Sequence, residues 1–199
     1  PGEGFHYSDA NFTLAGLVIE AVTGDSLDAA YRRYLYAPLG LVATYRRFVE
    51  APRRSAPDRI AAHVFYGDLD FTGMRALTAD CGGGGIDSTV ADLNRFIRAF
   101  AHDEIFEDRA TRAAMLDWRP WKDNITYGLG TICIDLDRDE EPSVHGLGEI
   151  WGHVGASGCF MFTWPQADAS ICGTFNQVAC QDAILPFVCD TLKTLRGIR

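Results

Sequence analysis

Lysine is almost missing from this chain. Lys122 and Lys193 are the only two in 199 residues, and 18 Lys plus Arg face 27 Asp plus Glu, for a net charge of -9. That balance argues against nucleic acid as a partner, because phosphate binding needs concentrated positive charge. The one basic cluster, Arg46, Arg47, Arg53 and Arg54, lies in a Pro-containing loop and reads as a solvated segment. No apolar run approaches the length of a membrane span, so no span is expected. The usual metal signatures are absent too. The five histidines, His6, His63, His102, His145 and His153, include no His-Glu-x-x-His. The six cysteines, Cys81, Cys133, Cys159, Cys172, Cys180 and Cys189, form no Cys-x-x-Cys pair. Several of them sit in apolar runs and read as small buried hydrophobes. No metal and no cofactor is expected.

What remains is an ordinary globular composition, 47% hydrophobic and 23% charged. The length suffices for one good core or two small ones. The chain opens at Pro1 without a methionine and enters an element within a few residues. It reads as a piece of something longer.

Residues 1–47 read as two helices. In "FHYSDANFTLAGLVIEAVTGDSL", Phe12, Ala15, Ile19 and Val22 share one face at a 3.6-residue period, and Gly24 stands where a left-handed cap is expected. Ser8, Asp9 or Asn11 can cap the start. The second helix runs from a Ser26 cap, with Leu27, Ala30, Tyr31, Tyr34 and Leu35 on one face, and stops before Pro38. Residues 48–80 read as loop. "CGGGGIDST" then leads into a helix with Leu93, Phe96, Ile97 and Phe100 on its face, and a short helix is expected around Arg109 to Trp118. From Thr126 the period changes to two, and "TYGLGTICIDLD", "EIWGHVG", "GCFMFTW" and "ASICGTFN" follow at short spacing. A C-terminal helix carries Ile184, Leu185, Val188, Leu192 and Leu195 on one face, with Pro186 tolerable only in its first turn. Helices first, then an antiparallel sheet to about Asn176, then a covering helix make an α+β arrangement.

Two stretches carry chemistry. The first is Tyr7, Ser8 and Asp9, a phenol, a hydroxyl and a carboxylate in a row ahead of a helix. The second is "WGHVGASG", a predicted strand with three glycines and His153. Glycine weakens a strand interior unless another backbone or a ligand approaches closely. The glycine run at residues 82–85 is neither a phosphate-binding loop nor a dinucleotide fingerprint, since no lysine follows it and no βαβ unit surrounds it. Its expected job is a tight backbone approach ahead of a Ser88/Thr89 cap.

Taken in order, "FHYSDANFTLAGLVIEAVTG", "GGGIDSTVADLNRF" and "GHVGASG" resemble the serine β-lactamase and penicillin-binding-protein-like hydrolases, in particular the class C β-lactamase, D,D-peptidase and esterase branch. Tyr7-Ser8-Asp9 looks like that family's Tyr-x-Asn motif, and His153-Val154-Gly155 like its Lys-Thr-Gly element, often written His-x-Gly in esterase-like members. "APLGL" and "GTFNQ" match its style. The resemblance implies a β-lactamase/transpeptidase-like fold in which residues 1–125 form a mostly helical region with the Tyr-Ser-Asp motif. Residues 126–199 would supply the sheet and C-terminal helix with the His-Val-Gly motif, both parts belonging to one larger catalytic domain.

The resemblance also assigns roles. A serine attacks a carbonyl, forms an acyl-enzyme and is freed by water. Tyr7 takes the place of the proton acceptor or relay, with His153 across one cleft from it as donor or partial cation. Asp9 stands where many members carry asparagine, and loses the amide donors. Gly155 leaves room for substrate backbone, and the Ala156 N–H is one of two oxyanion donors. The family's nucleophile lies in Ser-x-x-Lys. None of Ser8, Ser26, Ser55, Ser88, Ser143, Ser157 and Ser170 has lysine three residues on. The chain therefore reads as the C-terminal part of a serine hydrolase without the nucleophile, N-terminal helix and first strands, and inactive alone. Its expected partners are a small-molecule ester, amide or β-lactam and a complementary N-terminal segment carrying Ser-x-x-Lys. His153 and Asp9 favour an esterase or amidase over an efficient β-lactamase. The other reading is a non-catalytic ligand- or peptidoglycan-binding module on the same fold.

Overall fold

The computed structural model describes residues 5–50, 61–78 and 81–197. In chain order the elements are α1 (Asp9–Thr23), α2 (Leu27–Tyr31), β1 (Tyr45–Arg46), β2 (Phe65–Tyr66), β3 (Leu69–Asp70), β4 (Ile86–Asp87), α3 (Val90–Ala101) and α4 (Arg109–Met115). Then come β5 (Arg119–Lys122), β6 (Ile125–Tyr127), β7 (Ile132–Asp135), β8 (Glu149–Val154), β9 (Cys159–Trp164), β10 (Ala169–Thr174) and α5 (Ile184–Gly197). The chain divides into two compact units. One takes His6–His63 and Phe71–Phe96; the other takes Phe5, Val64–Asp70 and Ile97–Arg199. No helix among the described residues is long and apolar enough to cross a membrane.

In the first unit α1 starts and stops where its local chemistry says. Ser8 holds the N-cap position with extended backbone, and Gly24 ends the helix at φ 70°, its N–H donating to the Glu20 carbonyl over 2.9 Å. The expected face is only half right. Phe12 and Ile19 are partly covered and Gly16 is buried, but Ala15 is exposed and Val22 is 80% exposed. Leu14, Leu17 and Val18 are exposed as well, so α1 shows a second apolar stripe to the outside. The glycine run explains the buried side. A side chain on Gly82 would run into the Phe12 carbonyl and come within 3.0 Å of the Gly16 nitrogen, so two bare backbones meet there. The Tyr31 phenol donates to the Gly82 carbonyl from the other side, and burial raises its pKa.

Ser26 caps α2 as expected, accepting from the Ala29 N–H. The helix then widens into a π-turn over Arg32–Tyr36. Five-residue closure rotates the following side chains past the predicted face. Tyr36 goes inside at 5% exposure in place of Tyr34 and Leu35. The loop reading of the basic cluster is corrected for half its members. Arg46 is buried and pairs with Asp28 at 3.0 Å, and the half-hidden Arg47 donates to both Asp87 oxygens at 2.9 Å and to the Thr72 carbonyl. Both sit on or beside β1, which pairs antiparallel with β4. Arg53 and Arg54 lie outside the described residues. Thr89, not Ser88, caps α3 by accepting from the Asp92 N–H, while buried Asp92 accepts from Ala43 N–H and the Thr44 hydroxyl.

The second unit is built on a six-stranded antiparallel sheet in the order β10-β9-β8-β7-β6-β5. Its inward side chains include Ile132, Ile134, Ile150, Phe160 and Phe162, all at most 4% exposed. The sheet starts earlier than Thr126, because β5 precedes it and forms a tight hairpin with β6. β5 carries Pro120, which a ladder tolerates at an edge. α5 buries Ile184, Val188, Cys189 and Leu192, and Phe187 packs on Phe160 and Phe175 with ring centroids 5.9 and 5.7 Å apart. Pro186 falls in its first turn. A small hairpin, β2–β3, occupies part of what reads as loop in sequence. It is fastened by Gln177, whose side-chain amide exchanges hydrogen bonds with both main-chain groups of Gly67 at 3.0 and 3.1 Å.

Candidate active site

The predicted site residues fall into two groups, one in each unit. Tyr7, Ser8 and Asp9 stand together at the start of α1. Tyr7 is 37% exposed, with its ring 6.2 Å from that of Phe12. A capping role for the polar group is not what the side chains show. Ser8 fills the cap position through its backbone carbonyl, which accepts from Asn11 N–H at 3.1 Å, and its hydroxyl makes no capping bond. Asp9 is exposed in the first helical turn, where its charge complements the helix dipole.

The second group sits where β8 turns into β9. β8 lies inside the sheet between β7 and β9, so its backbone is held on both edges. His153 pairs with Met161 across the ladder. The glycine before it has a steric reason: a side chain on Gly152 would collide with the Met161 carbonyl. Glycine at 155 has one too, because a Cβ there would strike Sγ of Cys159. The expected space for substrate at Gly155 is thus already faced by a side chain of the next strand.

The turn that follows is strongly braced. Gly155 N–H donates to Cys159 at 2.8 Å, Gly158 N–H to Gly155 at 2.9 Å, and Phe175 N–H to Gly158 at 3.0 Å. Ala156 is exposed at its tip, and its carbonyl accepts from the Gln181 side chain at 2.8 Å. Among the described residues, none accepts from the Ala156 N–H. Stabilising a developing oxyanion calls for a backbone N–H that is held in place and not already taken up.

His153 is half-buried and engaged at both ring nitrogens. Nε2 lies 2.8 Å from the Tyr127 hydroxyl. Nδ1 faces the Val154 main chain, 2.7 Å from its carbonyl oxygen and 3.0 Å from its nitrogen. Tyr127 and Gln181 were invisible to motif reading. Tyr127 stands in the alternating strand pattern as one more residue of the sheet, and Gln181 in the polar run ahead of α5. Neither residue type in those settings carries a local signal. Among the described residues no group of three or more His, Cys, Asp or Glu is arranged to hold a metal.

Comparison with known proteins bears on the family and the fold. The beta-lactamase family model matches residues 1–183. A D-stereospecific amidohydrolase from Streptomyces sp. superposes with a TM-score of 0.71 at 26% identity, covering 89% of this chain and 52% of that one. The D-amino acid amidase from Ochrobactrum anthropi SV3, in its complex with L-phenylalanine, gives 0.78 at 21% identity over 100% of this chain and 61% of that one. A protein of Escherichia coli (strain K12), provisionally named a D-alanyl-D-alanine carboxypeptidase, is 37% identical over 68 residues, 34% of this chain and 15% of its own length. The chain thus spans just over half the length of these solved structures and a small part of that curated relative. With a family model matched from the first residue almost to α5, the chain belongs to the beta-lactamase family of serine hydrolases.

Proposed function

We propose that this chain supplies the tyrosine, histidine and oxyanion-donor side of a serine hydrolase that cleaves amides or esters through an acyl-enzyme. The serine comes from a Ser-x-x-Lys segment, carried on a longer form of the chain or on a second chain. Tyr7 takes the serine's proton, directly or by relay, and returns it to the leaving group. His153 orients Tyr7 or substrate as donor or partial cation. Asp9 accepts from the substrate amide, Gly155 lies along the substrate backbone on the side away from Cys159, and Ala156 N–H is one of the two oxyanion donors, worth about 3 kcal/mol in the transition state.

The observation that carries this reading is the β8–β9 turn. Four hydrogen bonds fix a backbone whose Ala156 N–H no described residue takes up, three positions after His153. In a four-residue turn closed by Gly158 N–H on Gly155 the second N–H is left over by geometry, so what adds weight here is the extra bracing from Gln181 and Phe175. Two further facts support it: the unused Ser8 hydroxyl at the head of α1, and an apolar stripe of Leu14, Leu17, Val18 and Val22 open on that helix. Such a stripe is ready-made for a covering segment. The amidases among the solved relatives favour amides over β-lactams as substrates. The missing Ser-x-x-Lys is the one feature that favours a non-catalytic binding module instead.

The test separates these readings. The chain is treated with a serine-reactive fluorophosphonate and with a chromogenic amide or ester, alone and then with a Ser-x-x-Lys segment from a family member. Labelling and turnover are expected only in the mixture, on the serine of the added segment. An adduct on Ser8, Ser88 or Ser157 of the lone chain would move the nucleophile. Binding of cell-wall peptide with no labelling in either case would favour the binding module.

A further inference from the structure

The geometry points to Tyr127 as a positioning residue for His153. Tyr127 closes β6 and is 4% exposed, so its hydroxyl has been taken out of water. A phenol buried that far needs a hydrogen-bond partner. Nε2 of His153 supplies it at 2.8 Å, with the two rings perpendicular at 80° and 5.7 Å between centroids.

The phenol ring is itself clamped. Trp121 meets it edge-on at 5.4 Å and Phe5 lies 5.4 Å away on a tilt. Tyr127 also pairs with Ile132 across the sheet, and Ile132 pairs with Gly152, the residue before His153. One transverse row of the sheet therefore fixes the backbones of both partners. His153's other contacts, through Nδ1, go to the residue next to it in the chain. Local contacts of that kind move with the histidine's own backbone and do not set the ring against the rest of the sheet. Tyr127 does.

A phenol hydroxyl both donates and accepts. It can give its proton to Nε2 when Nδ1 carries the ring proton, and can accept from Nε2–H in the other tautomer. His153 can then exchange a proton at either nitrogen without losing its anchor. Tyrosine, unlike lysine or aspartate, does this without placing a charge beside the imidazole. The catalytic meaning of the anchor rests on the hydrolytic function proposed above; the anchor itself does not.

The test uses two independent readouts. In the chain labelled with 15N-histidine, the His153 ring nitrogens are followed by long-range proton–nitrogen correlation. The expected result is a hydrogen-bonded Nε2 in the unaltered chain, with a slowly exchanging Tyr127 hydroxyl proton showing a cross-peak to the His153 ring. Tyr127→Phe should move Nε2 to the shift of a solvent-exposed imidazole. Should that variant fail to fold, the hydroxyl cross-peak in the unaltered chain decides alone. With the serine segment supplied, Tyr127→Phe should lower kcat about tenfold, the scale of one hydrogen bond, and leave KM within about twofold. In a His153→Ala background it should do nothing further, since its effect runs through the ring. An unchanged Nε2 shift, a missing cross-peak, an unchanged kcat or full additivity with His153→Ala would each overturn the assignment. If the nitrogen data hold while no preparation hydrolyses any substrate, the hydrolytic function fails and the anchor stands.

Discussion

The Gln181 side chain donates to the carbonyl of Ala156 over 2.8 Å, from a residue 25 positions further along the chain. That bond pins the tip of the β8–β9 turn to the segment leading into α5. Ala156 is exposed, so its carbonyl owes much of its placement to that bond. Gln181→Ala should therefore soften the turn without unfolding the unit. We expect a fall in kcat of up to about tenfold in the complemented enzyme, the value of one exposed hydrogen bond, with an unchanged melting temperature. A large loss of thermal stability would mean that Gln181 is part of the scaffold and not a brace for the site.

The polar group that opens the chain makes a sharper prediction. Tyr7→Phe removes one oxygen from a partly exposed ring and keeps the contact with Phe12. Folding should be nearly intact by circular dichroism. The complemented enzyme should lose about 10² to 10⁴ in kcat, the usual contribution of a general acid–base group. Equal activity in the variant would remove Tyr7 from the mechanism.

Where the chain's own local chemistry decides, the sequence could be read directly. Gly24 ends α1 because a left-handed residue must follow the last turn, Ser26 caps α2, and Pro186 marks the first turn of α5. The period-two pattern running from Thr126 through β7 marks the sheet, and the short spacing of the segments after it marks β8, β9 and β10. What escaped is what depends on distant partners or on very short elements. The π-turn at Arg32–Tyr36 shows no breaker residue, yet it swaps Tyr36 for Tyr34 in the core. β2 and β3 are two residues each, too short for any period, and are held by Gln177 more than a hundred residues away. Arg46 reads as solvated until Asp28 is placed beside it. Tyr127 belongs to the same class: the motif gave His153, but only the pairing of β6 with β7 and β7 with β8 brings a phenol to its ring.

Two glycines of ordinary appearance should behave oppositely. Gly82→Ala drives a methyl into the Phe12 carbonyl and toward the Gly16 backbone, neither of which can rotate away. Overpacking of this kind costs about 1–3 kcal/mol. Gly73 has open space around its missing Cβ, so Gly73→Ala should change stability by less than about 0.5 kcal/mol. Urea unfolding of both variants beside the parent checks the pair. Equal stability of the two would mean that the glycine run does not dock on α1.

Alkaline stability should be limited by buried thiols. Burial raises Cys133 from its ordinary value of 9.0 to about 12, and Cys172 and Cys189 to about 11. Burial pushes the phenol of Tyr36 upward as well. In each case the folded state holds a proton that the unfolded chain gives up. The sign follows: their contribution is complete below about pH 9, and stability falls as pH rises toward the folded values. The melting temperature should be flat from pH 7 to about 9 and then decline, with a shallower decline in Cys172→Ala. A melting temperature that holds steady or rises across that range would contradict the covering of these thiols, full at Cys133 and Cys189 and partial at Cys172.

The apolar stripe on α1 gives the last expectation. Leu14, Leu17, Val18 and Val22 recur at helical spacing and are 61%, 52%, 53% and 80% exposed. A stripe of four large aliphatic side chains is unfavourable in water and gains about 25 cal/mol for each Å² that a partner covers. If the Ser-x-x-Lys segment lies against α1, charge on the stripe should block its binding while leaving the chain itself alone. Leu17→Glu and Val22→Glu replace side chains that already face water, so each variant should unfold near the parent's temperature, Val22→Glu slightly below it because a negative charge in the last turn of α1 opposes the helix dipole. Leu17 lies inside the four-residue stripe, and glutamate there should abolish fluorophosphonate labelling in the complemented mixture. Val22, at the end of the stripe, should show a weaker version of the same loss, recovered at higher concentration of the added segment. Ala29→Glu, exposed on α2 and off the stripe, serves as the control and should complement normally. Undiminished labelling in Leu17→Glu would place the serine segment elsewhere on the chain. Loss of labelling in Ala29→Glu as well would show that added charge on this unit, and not loss of the apolar stripe, is what the segment rejects.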